Sequence, residues 1–318
     1  MTALATAPTA RPRPARAWRA VVRLHRPALI FWGLFVALVS AVLLWAYGPG
    51  GNAAAAAWRR SCTVDLCDVG YAVDFYHLAY RFCEALITFL PVVVALWAGG
   101  ILIGRELENG TAELAWSQSV SPARWLLAKL AVPAALLTAG TTLLVLLHRL
   151  LFDAHQVPKG WNWSDSGTFE TNGPIAVAYP LLGLALGALA GLIAGRAVRG
   201  LIGGLLANAT ATILIGLAGP HLVPWRISVG DLKEGYAAPS GVIHGGEGAV
   251  TSTGAHIADP CTGAGKSCPA AHDIVGYYSE YHPSSQFWAL QLTETALILA
   301  VTALATAAAF TLLRRRTS

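Results

Sequence analysis

"ALITFLPVVVALWAGGILIGRELENGTAELAWSQSVSPARWLLAK", Ala85 to Lys129, decides how this chain is read. Its first 20 residues, to Gly104, are uncharged. A helix needs about 20 apolar residues to cross about 30 Å of hydrocarbon, so this run is long enough to span. Three glutamates, Glu106, Glu108 and Glu113, then crowd into one short connector before the next apolar run begins near Leu126. Asn109-Gly110 is a strong stop and turn signal. The first helix therefore runs on to Glu108, and Thr111 to Trp116 forms a short helix of its own. Ser117 to Val120 is a loop. Ser121 suits an N-cap and Pro122 the first helical position of the following span. A short rigid helix mounted between two membrane helices is built to pass force from a partner into the bundle. The plain alternative is a polar connector.

The same pattern extends over the whole chain. Of its 318 residues 55% are apolar and 12% charged, against roughly 25% charged in soluble domains. Six apolar runs are expected to span, at about 28–47, 85–104, 126–147, 174–195, 200–225 and 287–313. No strand-like alternation supports a barrel, and unpaired backbone is too costly in lipid for anything but helices. The fold class is therefore an all-α integral membrane protein with six transmembrane helices. Fourteen of the 22 basic residues fall on segments that share one side if the N-terminus is cytoplasmic, among them Arg105, Arg124, Lys129, Arg196, Arg199 and Arg314 to Arg316. Both termini are expected in the cytoplasm. The basic residues are scattered over helix ends rather than gathered on one face, which argues against nucleic-acid binding. An uncleaved first helix fits better than a signal peptide, because its apolar run exceeds the usual 7–15 residues.

Residues 1–16 read as a disordered tail. Residues 17–27 read as an amphipathic interfacial helix, with Arg19, Arg23 and Arg26 along one face. A solvated basic flank is the alternative. Residues 28–313 form the six-helix bundle and 314–318 a short cytoplasmic tail. The outer segment 226–286, rich in Gly, Ser and Thr, shows no long periodicity and reads as a long functional or disordered loop. Cys62 and Cys67 in the first outer segment, and Cys261 and Cys268 in the last, each suit a small disulfide; reduced thiols are the alternative. Cys83 is left over as a buried thiol.

Gly183, Gly187, Gly191 and Gly195 repeat at four-residue spacing and offer a groove for a second helix, of this chain or another subunit. Gln291 and Glu294 are polar inside the sixth span. They suit either a permeation path or an interhelical hydrogen bond. Gly265-Lys266-Ser267 mimics the end of a phosphate-binding loop, but position 260 is Pro rather than the required Gly. His244, His256, His272 and His282 match no tight zinc spacing. No motif for an intramembrane hydrolase is found, and no enzymatic activity is expected.

The connector resembles the segment after the second span in type-2 ABC exporter permeases. The pattern E-x-E-x-G-T, from Glu106 to Thr111, then S-x-x-R-W-x-x-x-K, from Ser121 to Lys129, carries the resemblance. "YHPSSQFWALQLTETALILAVTALATAAAFTLLRRR", Tyr281 to Arg316, is similar to the ending of such permeases from high-GC Gram-positive bacteria. The resemblance implies an exporter subunit in the bacterial plasma membrane, in contact with membrane lipid, paired with a second permease subunit as a homo- or heterodimer. Two cytoplasmic ABC ATPase subunits would supply the work. ATP and Mg would bind those partners, with no cofactor in this chain. Arg105, Glu106, Glu108, Gly110, Thr111 and Glu113 would form the ATPase-coupling contact. The cargo would be an amphiphile such as a drug, peptide or lipid. The alternative is a non-transporting relay or sensor working with an ATPase.

Overall fold

The computed structural model describes residues 26–63, 66–67, 70–118, 120–154, 160–263 and 267–317. The expected tail 1–16, nearly all of the interfacial helix 17–27, and Gly265-Lys266 lie outside the described residues. Six helices are long and apolar enough to cross a membrane. They are α1 (Arg26–Ser61), α2 (Gly70–Glu108), α4 (Pro122–Asp153), α6 (Ile175–Ala194), α7 (Ala197–Leu222) and α9 (Ser284–Thr317). Short helices α3 (Thr111–Ser117), α5 (Ser166–Thr171) and α8 (Cys268–Ala271) lie between them.

Two spans outrun their apolar stretches. Helix α1 continues past Tyr47 through a π-helical turn, Ala46–Gly50, that contains Pro49. Proline removes one backbone donor, and the wider turn takes up the loss without ending the helix. Helix α2 starts at Gly70, well before the apolar run at Ala85, and carries Asp74, His77, Arg81 and Glu84 on its early turns. It also carries a π-helical stretch, Ala98–Gly104.

The glycine stripe of α6 meets α2 of the same chain. A Cβ built on Gly183 would fall on Pro91 O, on Gly187 on Ala95 O, and on Gly191 on Gly99 O. Glycines of α7 press on the same carbonyls: a Cβ on Gly200 would strike Gly99 O, and one on Gly204 would strike Ala95 O. Three helices thus meet backbone to backbone, the close approach that small residues permit in lipid. Gly195 is no part of this seam. Its φ of 60° ends α6 in the left-handed conformation, with its N–H on Gly191 O.

The segment 226–286 is more ordered than its composition suggests. It holds a four-stranded antiparallel sheet in the order β3-β6-β4-β5, built from β3 (Arg226–Asp231), β4 (Ile243–Thr251), β5 (His256–Ile257) and β6 (Ile274–His282). The glycines of β4 and a register shift between His244 and Glu247 break the alternation that would mark the strands. Ala249, Val250, Ile274, Ser279 and His282 are buried along its strands. His282 Nε2 meets Pro220 O at 2.9 Å and its ring stacks on Trp225 at 3.8 Å, which fixes the sheet to the end of α7. Cys261 and Cys268 are disulfide-bonded, and Cys83 is a buried free thiol. The backbones of Cys62 and Cys67 pair across a two-residue ladder, β1 (Cys62–Thr63) with β2 (Leu66–Cys67), and their side chains lie outside the described residues.

Candidate functional site: the α3 platform and the opposite polar end

At one end of the bundle, Gly110 takes φ 68° and turns the chain from α2 into α3. Glycine adopts this conformation without a steric penalty. Thr111 Oγ1 donates to Glu106 O at 3.1 Å across the turn. Ser121 caps α4, accepting from Arg124 N at 3.4 Å, with Pro122 beginning the helix.

The expected contact residues separate into two sets. Glu106 and Glu108 work within the chain. The Glu106 carboxylate accepts from Trp125 Nε1 at 3.2 Å and from the buried ammonium of Lys129. Glu108 Oε2 accepts from Ala197 N at 2.9 Å, the first backbone donor of α7. An acid at a helix N-terminus is favoured by the free donors and the dipole there. The two glutamates thereby bind the α2 terminus to α4 and α7. Arg105, Thr111 and Glu113 remain exposed. Leu114 stands beside Glu113 and is 58% exposed. The inward face of α3 buries Ala112 and packs Ala115 and Trp116 near Trp125 and Leu126. Leu114 was legible only as one more apolar residue in a helix; its exposure depends on which face the turn presents.

Arginines surround the platform. Arg316 donates to Leu192 O and to Ile193 O, covering free carbonyls at the end of α6. Arg105, Arg124, Arg196, Arg199, Arg314 and Arg315 are exposed at the same end.

The opposite end, which bears the sheet, holds a polar network of which the sequence singled out only Gln291 and Glu294. Glu84 accepts from Thr168 Oγ1 at 2.7 Å and from Arg81 at 3.1 Å. Arg81 also pairs with Asp165 at 2.9 Å. Asn172 donates to Thr168 O at 2.7 Å and meets His148 Nδ1 at 3.2 Å, while Tyr80 stacks on Trp161. Gln291 donates to Phe169 O at 2.5 Å and accepts from Ile175 N at 3.3 Å. Glu294 accepts from Tyr179 Oη at 3.1 Å. Both intramembrane polar residues thus bridge α9 to α5 and α6. His148, Asn172 and Glu84 come from three different elements, so no single stretch of sequence could join them.

A half-open cavity of about 190 Å³ lies between α2, α5, α6 and α7. Ile87, Pro91 and Ile213 give it apolar walls. Glu170, Asn208 and Thr212 supply polar groups on its lining.

The six apolar spans, three of them packed through glycine backbones, with a short helix between the second and third, define a multi-pass membrane protein. Residues 24–218 match the family described as ABC-2 membrane transporter related, and the chain belongs to that family. It is accordingly a membrane permease component of an ABC transporter, a type of subunit that works with an ABC ATPase. Comparisons with curated proteins and with solved structures gave no match.

Proposed function

We propose that this chain is the permease subunit of an exporter and that α3 is the element through which a separate cytoplasmic ATPase drives it. Both termini and the α3 platform lie in the cytoplasm on this reading, and the sheet lies outside the plasma membrane. ATP and Mg belong to the ATPase subunits, and this chain carries out no hydrolysis. A second permease subunit completes the transporter, and the cargo is an amphiphile.

The observation that carries the reading is the division of labour on the connector. Glu106 and Glu108 brace the platform against α4 and α7. Arg105, Thr111, Glu113 and Leu114 stay exposed, where a partner can meet them. A push on α3 enters α2 directly and reaches α7 through the Glu108 contact. Closure of the ATPase pair would then bias the bundle between two states, provided that the ATPase binds those states with different affinity. Co-purification with the ATPase subunit tests it. Glu113→Lys with Leu114→Asp should abolish the complex while leaving the permease folded. Charge reversal at Glu106 and Glu108 should keep the complex but uncouple ATP hydrolysis from transport. Retention of full transport by both variants would remove the basis for the reading.

The sheet supports a second reading, a relay or sensor subunit. Ile227 and Val229 on edge strand β3 are exposed and apolar, suited to an outer protein partner. Deleting 228–281 while retaining ATPase-driven transport would favour the exporter; loss of signalling with no transport to lose would favour the relay.

A further inference from the structure

The cavity at the sheet-bearing half of the bundle combines features that ask for a ligand. Three glutamates gather near this end, and two have partners. Glu84 is paired with Arg81 and Thr168, and Glu294 with Tyr179. Glu170, half-buried on the cavity lining, has no hydrogen bond or ion pair among the described residues. Among the described residues, the cations nearby are committed elsewhere. Arg81 serves Glu84 and Asp165. Arg149 serves Asn172 O and Asp153 and lies over the Phe287 and Trp288 rings.

Asn208, from the middle of α7, is a second and independent signal. It is 1% exposed, lines the cavity, and its Oδ1 has no partner among the described residues. Thr212, one turn on, also carries a buried hydroxyl without a partner. Unpaired amides and hydroxyls at membrane depth are costly unless something pairs with them. The rest of the wall is apolar, and Ile213 at its edge is 61% exposed on the outside of the bundle. An alkyl tail could leave along that edge into lipid.

We propose that this cavity receives the protonated head of a lipophilic amine, with Glu170 as counter-charge and Asn208 and Thr212 as hydrogen-bonding groups. This names the cargo class of the exporter and rests on that reading. A small ammonium matches a space of this size, and a carboxylate or phosphate head would face Glu170 with Glu84 and Glu294 behind it. Burial, and then the charges of Glu294 and Glu84, push the Glu170 carboxyl up to about 7. Further titratable groups on the surrounding helices include Tyr179 on α6 and Tyr76, Tyr80 and Cys83 on α2, with His148 on α4 behind Asn172. An incoming ammonium should therefore displace a proton from Glu170 at neutral pH and bind more tightly as pH rises from 6 to 8.

The full chain in phosphatidylcholine nanodiscs, without any ATPase, tests the idea with three probes of equal tail length: dodecylamine, dodecanol and dodecanoate. Empty nanodiscs correct for partition into lipid. Saturable binding of the amine alone is expected, weakened about tenfold in Glu170→Gln, the scale of one charged hydrogen bond. Thr212→Val, an isosteric loss of the hydroxyl, should weaken it less. Equal binding of amine and alcohol, or tighter binding of dodecanoate, would overturn the proposal, as would unchanged amine affinity in Glu170→Gln. These readouts need neither transport nor a partner, so their failure leaves the ATPase-coupling reading standing, and the reverse also holds.

Discussion

The two ends of this bundle are held together by different chemistry. Toward the α3 platform, α2, α6 and α7 touch through glycine backbones, with Gly99, Gly191 and Gly200 leaving no room for a side chain. Toward the sheet, the same helices and their neighbours are joined by long side chains: Arg81 to Asp165, Glu84 to Thr168, Gln291 to Phe169. A backbone seam has almost no freedom to adjust, whereas hydrogen-bonded side chains can exchange partners. The platform end is therefore suited to move as one block, and the sheet end to reshape around a guest.

Substitutions on the seam should give the largest effects. Gly99→Ala places a methyl group on Gly200 O, which is backbone and cannot step aside. A loss of about 1–3 kcal/mol is expected from overpacking, read as a fall in the melting temperature of the purified protein and in monodisperse yield. The same change at Gly216, which faces open space, should do nothing. Equal tolerance at both sites would erase the contrast between the ends.

Next in size is the brace. Lys129 is buried and its partner is Glu106. Lys129→Met alone strands the carboxylate beside Trp125, while the pair Lys129→Met with Glu106→Gln removes both charges. The double variant should be more stable than the single one by about 1 kcal/mol, since an unpaired partner costs more than a missing pair. Thermal unfolding of the four-member cycle measures that difference.

On the sheet, Cys261→Ser with Cys268→Ser should cost about 2 kcal/mol of local stability, from the lost constraint on a short loop. Protease nicking within 226–282 should quicken, with the helical bundle left intact. A pH-dependent effect concerns Glu170. Its folded carboxyl is raised from 4.5 to about 7, so the folded state holds a proton that the unfolded chain releases. That contribution is fully present below about pH 4.5 and lost as pH rises through about 7. The melting temperature should drift down across this window, and Glu170→Gln should flatten the drift.

The spans and the platform were legible because their signals are local. An uncharged run of 20 residues, an Asn-Gly pair and a Ser-Pro start each fix their own neighbourhood. The glycine repeat announced a groove, but not that α2 fills it, nor that Gly195 serves as a cap instead. The sheet escaped because its strands carry glycines and a register shift where alternation would have marked them. Roles at the candidate sites depended on distant partners. Glu108 looks like surface charge until Ala197, 89 residues away, is placed against it. Glu170 looks like one more loop acid until Asn208 and Thr212 are seen on the same wall.

The central claim, that α3 faces the cytosol where an ATPase can reach it, is tested most directly by labelling a cysteine on that helix. Leu114→Cys, in a background lacking the native cysteines, would be exposed to a membrane-impermeant maleimide in intact cells, with Ser252→Cys on the sheet as the outward control. Ser252→Cys labelled at once and Leu114→Cys labelled only after permeabilisation is the expected result. Labelling of Leu114→Cys in sealed cells would place the platform on the wrong side of the membrane and contradict the coupling role.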